Sequence, residues 1–227
     1  MAKKTSVKKA FLGSCSSAAF AKNNKLWIAL GSGFTDKSQL HVLDLVPEGG
    51  WQEDTIIKSG DKIDAITTLC QVENHIWIGD NAGLIHAFDF ATFGLIFSYK
   101  MEPDVHEEPS PVRSIHYLKN IQRVCVAMHN GRLFLCDNEI TPSATSGGEG
   151  TFLVTELGAD SCIHSVASLA GFSLELWCGL SAGAISVFTL KDGVVTSQQV
   201  INHNDPVVDN VEVLQVIVYR SQAVLRL

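Results

Sequence analysis

Five consecutive residues, Gly179-Leu180-Ser181-Ala182-Gly183, satisfy G-x-S-x-G, the pattern that presents a serine nucleophile on a sharp strand-to-helix turn. That chemistry needs a helix after the second glycine. Ala184 to Phe188 reads instead as another strand, so the glycines are expected to serve a tight hairpin turn that requires positive φ. His41 and His86 each stand three residues before an aspartate, and His116 and His164 fall on short apolar stretches. Imidazoles can bind metal or move protons, but a metal needs three or four converging ligands and no spacing here supplies them. Structural hydrogen bonding is the expected role, and no cofactor or metal is implied. The six cysteines (Cys15, Cys70, Cys125, Cys136, Cys162, Cys178) lie far apart without a C-x-x-C pair, each among apolar neighbours, as buried reduced thiols would.

The elements that carry these residues repeat. Trp27, Trp77, Cys125 and Trp177 hold one position in four copies of an apolar strand, separated by 50, 48 and 52 residues. Each strand ends on a small residue, and six residues on from Gly79, Ala127 and Gly179 comes a core aliphatic: Ile85, Leu133 and Ile185. In the first copy the distance from Ala29 to Leu40 is 11, so the loop at Gly31 to Ser38 is expected to carry five extra residues. Four residues further stand Asp44, Asp89, Asp137 and Thr189. A shorter apolar stretch precedes each copy, ending at Phe20, Leu69, Leu118 and Leu169, with a further one ending at Leu214. Segments such as Gly94 to Tyr99 and Thr151 to Val154 can add a fourth strand. Four strands in roughly 50 residues is the signature of a propeller blade, not of a helical solenoid. Repeats are placed near 14–60, 61–110, 111–157 and 158–205, with a partial one over 206–227 that stops where its hairpin should start. Residues 1–12, with Lys3, Lys4, Lys8 and Lys9, read as a basic disordered tail.

Composition limits what such a chain can bind. With 46% hydrophobic and 18% charged residues it can bury a sizeable core. A net charge of -7 argues against a nucleic-acid partner, whose binding rests on Lys and Arg neutralising phosphates. No apolar run reaches the length of a transmembrane segment, and the first ten residues lack the apolar centre of a secretory signal, so a cytoplasmic protein is expected. The recurring tryptophans read as core. Trp51 stands outside the repeat, and its exposure would suggest a binding surface.

The motifs Leu26-Trp27-Ile28-Ala29, Ile76-Trp77-Ile78-Gly79 with Gly83 and Phe88-Asp89, Val124 to Ala127 with Asn130-Gly131-Arg132-Leu133, and Leu176-Trp177-Cys178-Gly179 resemble the WD40-like propeller in the carboxy-terminal part of Rho guanine-nucleotide exchange factors. Related propellers occur in leucine-rich-repeat kinases and JNK-interacting scaffold proteins. The resemblance spans about Ser14 to Leu214. Leu43-Asp44, Phe88-Asp89 and Cys136-Asp137 stand where familiar WD repeats have Trp-Asp, and no Gly-His dipeptide precedes the repeats. The expected fold is all-β: a partial WD40-like β-propeller of about four to five blades, each of four antiparallel strands. The resemblance implies a non-catalytic protein-protein interaction scaffold, a fragment of a larger signalling protein linked to Rho regulation, its missing blades supplied by the parent chain or another chain. Propellers of this kind bind other proteins through their loops, here Phe34, Asp36, Asp80, Asn81, His129, Asn130 and Ser181. The rival expectation is a propeller enzyme or ligand-binding protein with a site at the central channel. Asp64, Arg113, His116 and His164 are its candidates, and in the sequence they do not recur in register.

Overall fold

The structure, a computed structural model, describes residues 14–20, 24–32, 35–45, 51–58, 63–101, 109–138, 151–157, 162–170, 174–181, 183–191, 194–202, 215–219 and 222–226. Every regular element among them is a β-strand. Four antiparallel sheets of four strands follow one another along the chain. The first holds β1 (Ser14–Phe20), β2 (Lys25–Ser32), β3 (Thr35–Leu45) and β4 (Trp51–Lys58). The second holds β5 (Ile66–Val72), β6 (His75–Asp80), β7 (Leu84–Asp89) and β8 (Leu95–Lys100). The third holds β9 (Val112–Leu118), β10 (Arg123–Met128), β11 (Arg132–Asp137) and β12 (Thr151–Glu156). The fourth holds β13 (Ile163–Ala170), β14 (Leu174–Leu180), β15 (Ala184–Lys191) and β16 (Val194–Asn202). A two-stranded sheet pairs β17 (Gln215–Tyr219) with β18 (Gln222–Arg226). No helix long and apolar enough to cross a membrane occurs among the described residues.

Successive sheets meet through their first strands: β1 lies against β5, β5 against β9, β9 against β13 and β13 against β17. The alternation of side chains along each second strand then sorts residues between two neighbouring cores. Trp27 and Ala29 share a core with Ile76 and Ile78 of the next sheet, while Trp77 turns the other way, to Val124 and Val126. Cys125 and Ala127 in turn face Leu176 and Cys178. A strand covered on both faces has no polar side to show, which is why β6 and β10 read as unbroken apolar runs. Trp27 is fully buried among Phe88, Phe90 and Phe93, with ring centroids at 6.5, 6.4 and 5.6 Å. Trp77 meets Phe97 edge to face at 5.3 Å. Trp177 differs. It faces away from the third sheet, beside Ala167, Ile185 and Val187, and is only partly buried.

One expectation is corrected. The additional residues of the first hairpin do not make a longer loop: Gly31 pairs with Ser38 and Ser32 with Thr35, so they lengthen the ladder, as backbone groups that can find partners do. In the expected partial repeat, Gln215 pairs with Arg226 and Tyr219 with Gln222, so two strands of it are described. The tail 1–12 and Phe34 lie outside the described residues, and Asp36 is described only as part of β3.

Candidate functional site at the bulged rim

Each first strand is interrupted at one register position. On β1, β5, β9 and β13 the pairing register with the adjacent strand skips one residue: Ser16, Thr67, Arg113 and His164. The residue after each interruption, Ser17, Thr68, Ser114 or Ser165, pairs with the small residue of the motif, Ala29, Gly79, Ala127 or Gly179. These are β-bulges, which add local twist and re-aim a side chain. At Gly79 the reason for a small residue is direct: a Cβ there would lie 2.4 Å from Val112 Cγ1, on the neighbouring sheet. Because first strands are neighbours, the four bulges fall along one rim of the stack.

The turns between second and third strands close over the same rim. Gly83, Gly131 and Gly183 have φ of 76, 84 and 67°, the left-handed region expected for these hairpins. Just before them, the amides of Asn81, His129 and Ser181 donate to the carbonyls of Ala65, Pro111 and Cys162 at 3.0, 2.8 and 3.1 Å. Three of the sequence-derived interaction residues therefore occupy one equivalent position in three sheets. Asn81 is exposed, His129, Asn130 and Ser181 are half-buried, and the Asn130 amide donates to Ser110 Oγ at 3.0 Å. Ser181 precedes a strand, β15, and not a helix, so the G-x-S-x-G serine has no nucleophile elbow.

Asp80 is fully buried and its carboxylate is used internally. It accepts from the amides of Leu84 at 2.8 Å and Asp64 at 3.3 Å and pairs with His86 Nε2 at 3.2 Å, while His86 Nδ1 meets Ser98 Oγ at 2.7 Å. Serine, histidine and aspartate thus lie in contact, with Ser98 exposed, yet they tie β6, β7 and β8 of one sheet together. His41, the matching residue of the first sheet, is buried with Nε2 at 3.2 Å from Gln39 Oε1.

The inner-strand candidates separate into those that meet and those that do not. Arg113 Nε donates to His129 Nδ1 at 3.1 Å. With Nδ1 accepting, the proton of the neutral ring sits on Nε2, which lies 3.7 Å from Cys162 Sγ. Burial, then the Arg113 and His164 charges, hold the His129 pKa below its ordinary value. Arg113, His129, Cys162 and His164 are all half-buried, in reach of solvent. His116 lies elsewhere, bonded to Ser168 Oγ at 2.8 Å, and Asp64 is beside Asp80. Thr67, the bulge residue of the second sheet, donates to the carbonyls of Gly79 and Val112 and so ties two sheets together.

Among the described residues no group of three His, Cys, Asp or Glu side chains is disposed to hold a metal ion. Sequence reasoning missed Cys162 and the relation of Arg113 to His164. The signal was present: counted back from the Trp position, each copy has a Ser or Thr preceded by the bulge residue, but the intervening turns differ in length and hide the register. No family model matches the chain, and no curated protein matches its sequence.

Proposed function

We propose that the chain is a run of WD40-like propeller blades acting as a non-catalytic protein-protein interaction scaffold in the cytoplasm. The observation that carries the reading is the adjacency of first strands in chain order, β1 to β5 to β9 to β13 to β17, with each four-stranded sheet packed on the next. Sheets stacked in this way around their first strands are what a propeller requires, and their rigid turns present loop residues for recognition. The rim of Asn81, His129, Asn130 and Ser181 is the binding face. The Rho-regulatory setting rests on the sequence resemblance.

Affinity capture compares the chain with two variants. Asn81→Arg with Ser181→Arg alters the rim, and Gln122→Arg alters the turn at the opposite end of the third sheet. Partners lost with the rim variant and kept with the control support the reading. Equal retention in both excludes the rim as the binding face, and a partner set without Rho GTPases or their regulators removes the Rho setting.

A further inference from the structure

We infer that Ser98 is an activated nucleophile that accepts an acyl group from a carboxylic ester, with His86 as its base and Asp80 as the carboxylate that positions the base. The inference goes beyond the interaction-module reading and does not depend on it. Ser98 Oγ lies 2.7 Å from His86 Nδ1, and His86 Nε2 lies 3.2 Å from Asp80 Oδ2. The amides of Leu84 and Asp64 hold the Asp80 carboxylate in place. A carboxylate can only accept, so the proton of the neutral ring sits on Nε2, and Nδ1 accepts from the Ser98 hydroxyl. Nucleophile, base and orienting carboxylate thus stand in the order that acyl transfer uses, with Nδ1 in place of Nε2 turned to the serine. Burial divides the roles. Asp80 and His86 are sealed from solvent while Ser98 is exposed, so the serine oxygen is the atom that a reagent can reach.

The four-stranded architecture does not require this set. Asp80 pairs with Ile66, just before the bulge of β5, and the matching pairs of the other three sheets bring Leu30, Met128 and Leu180 to that place. Ser98 pairs with His86, and its counterparts are Ile56, Leu153 and Val200. Aliphatic residues therefore fill both places in three sheets of the same strand order. His41 repeats His86, but the carboxylate and the serine are replaced there by Leu30 and Ile56. Burying a carboxylate and an imidazole carries a desolvation penalty that a packed aliphatic does not. What the second sheet gains from it is an exposed hydroxyl held against a base.

The step balances with the ester as its one added reactant. Ser98 Oγ attacks the ester carbonyl while His86 Nδ1 takes the hydroxyl proton. The bond from the carbonyl carbon to the alcohol oxygen then breaks, and Nδ1 returns the proton to the departing alkoxide. The products are O-acyl-Ser98 and the free alcohol, with no change of oxidation state.

The full native chain is incubated with p-nitrophenyl acetate, and acetylation of individual serines is followed over time by peptide mass spectrometry. Ser197 is the internal control: it is exposed, stands on the outer strand β16 and pairs with Thr189. Ser98 is expected to be acetylated well ahead of Ser197. His86→Gln should slow acetylation of Ser98 by about 100-fold or more, the contribution of a positioned base, and leave Ser197 unchanged. Asp80→Asn should also slow Ser98 selectively. Where His86→Gln fails to fold, the comparison of Ser98 with Ser197 in the wild-type chain decides. Equal rates at the two serines, or acetylation of Ser98 undiminished in folded His86→Gln, would overturn the assignment.

Discussion

Thiol chemistry differs sharply from one cysteine to the next. Burial pushes Cys70 up to about 11 and Cys178 up to about 12, and raises Cys125, which also faces Cys178 and Cys136. These thiols stay protonated at neutral pH, and only the thiolate is nucleophilic. Cys162 is half-exposed beside an imidazole N–H. Limited iodoacetamide labelling of the native chain, read by peptide mass spectrometry, should modify Cys162 before Cys70, Cys125 or Cys178; labelling in the reverse order refutes the assignment. A second residue-scale expectation concerns acid. Burial lowers the His116 pKa below its ordinary 6.5, so the unfolded chain binds the proton more readily. Stability is therefore fully present above 6.5 and falls as pH drops below it. His129 acts in the same direction, while Asp89, lowered mainly by the Thr92 amide, acts only below 3.8. The melting temperature should decline from about pH 7 to 5, and His116→Gln, which can still bond Ser168, should flatten part of that decline.

Strand boundaries and the hairpin turns were legible because they depend on local pattern: alternation or apolar runs closed by Gly and Asn. The strand-ending aspartate shows how a deviation in the repeat becomes intelligible only with register. Asp44 pairs with Lys25, Asp89 with His75 and Asp137 with Arg123, and Lys25 Nζ lies 2.8 Å from Asp44 Oδ1. In the fourth copy the cross-strand residue is Glu175, facing Thr189. An aspartate there would set two carboxylates opposite each other, which destabilises a sheet. Cys125 in place of tryptophan has a comparable logic, since its core is filled by Leu133, Leu135 and Phe188. The bulges were not legible, because a single unpaired residue is defined by the partner strand and not by its own sequence. Asp80, expected from sequence among the protein-binding loop residues, is fully buried, and its carboxylate is bonded to the Leu84 and Asp64 amides and to His86. Asp80→Ala should leave His86 without that acceptor in a dry site and lower stability by about 1 to 3 kcal/mol, measured by denaturant unfolding; an unchanged midpoint would show the network to be dispensable.

For the molecule as a whole, the sequence period identified sheets of four strands and their order, while their mutual packing emerges only in three dimensions. Two kinds of contact set that packing: apolar cores shared by successive sheets, and polar ties such as Thr67 to Val112 O and Tyr117 OH to Glu73. The same alternation that buries Trp27 and Trp77 between sheets leaves Trp177 on the face of the fourth sheet away from the third, partly buried, its Nε1 donating to Glu175 Oε2 at 3.1 Å. That asymmetry gives the chain an intrinsic optical reporter. A partly solvated indole emits at longer wavelength and is open to collisional quenching, whereas sealed ones are not. In a Trp51→Phe background, which removes the fourth tryptophan, acrylamide should quench the emission more than after the further change Trp177→Phe, and a strand or subunit that docks on this face should shift the emission to the blue without any added label.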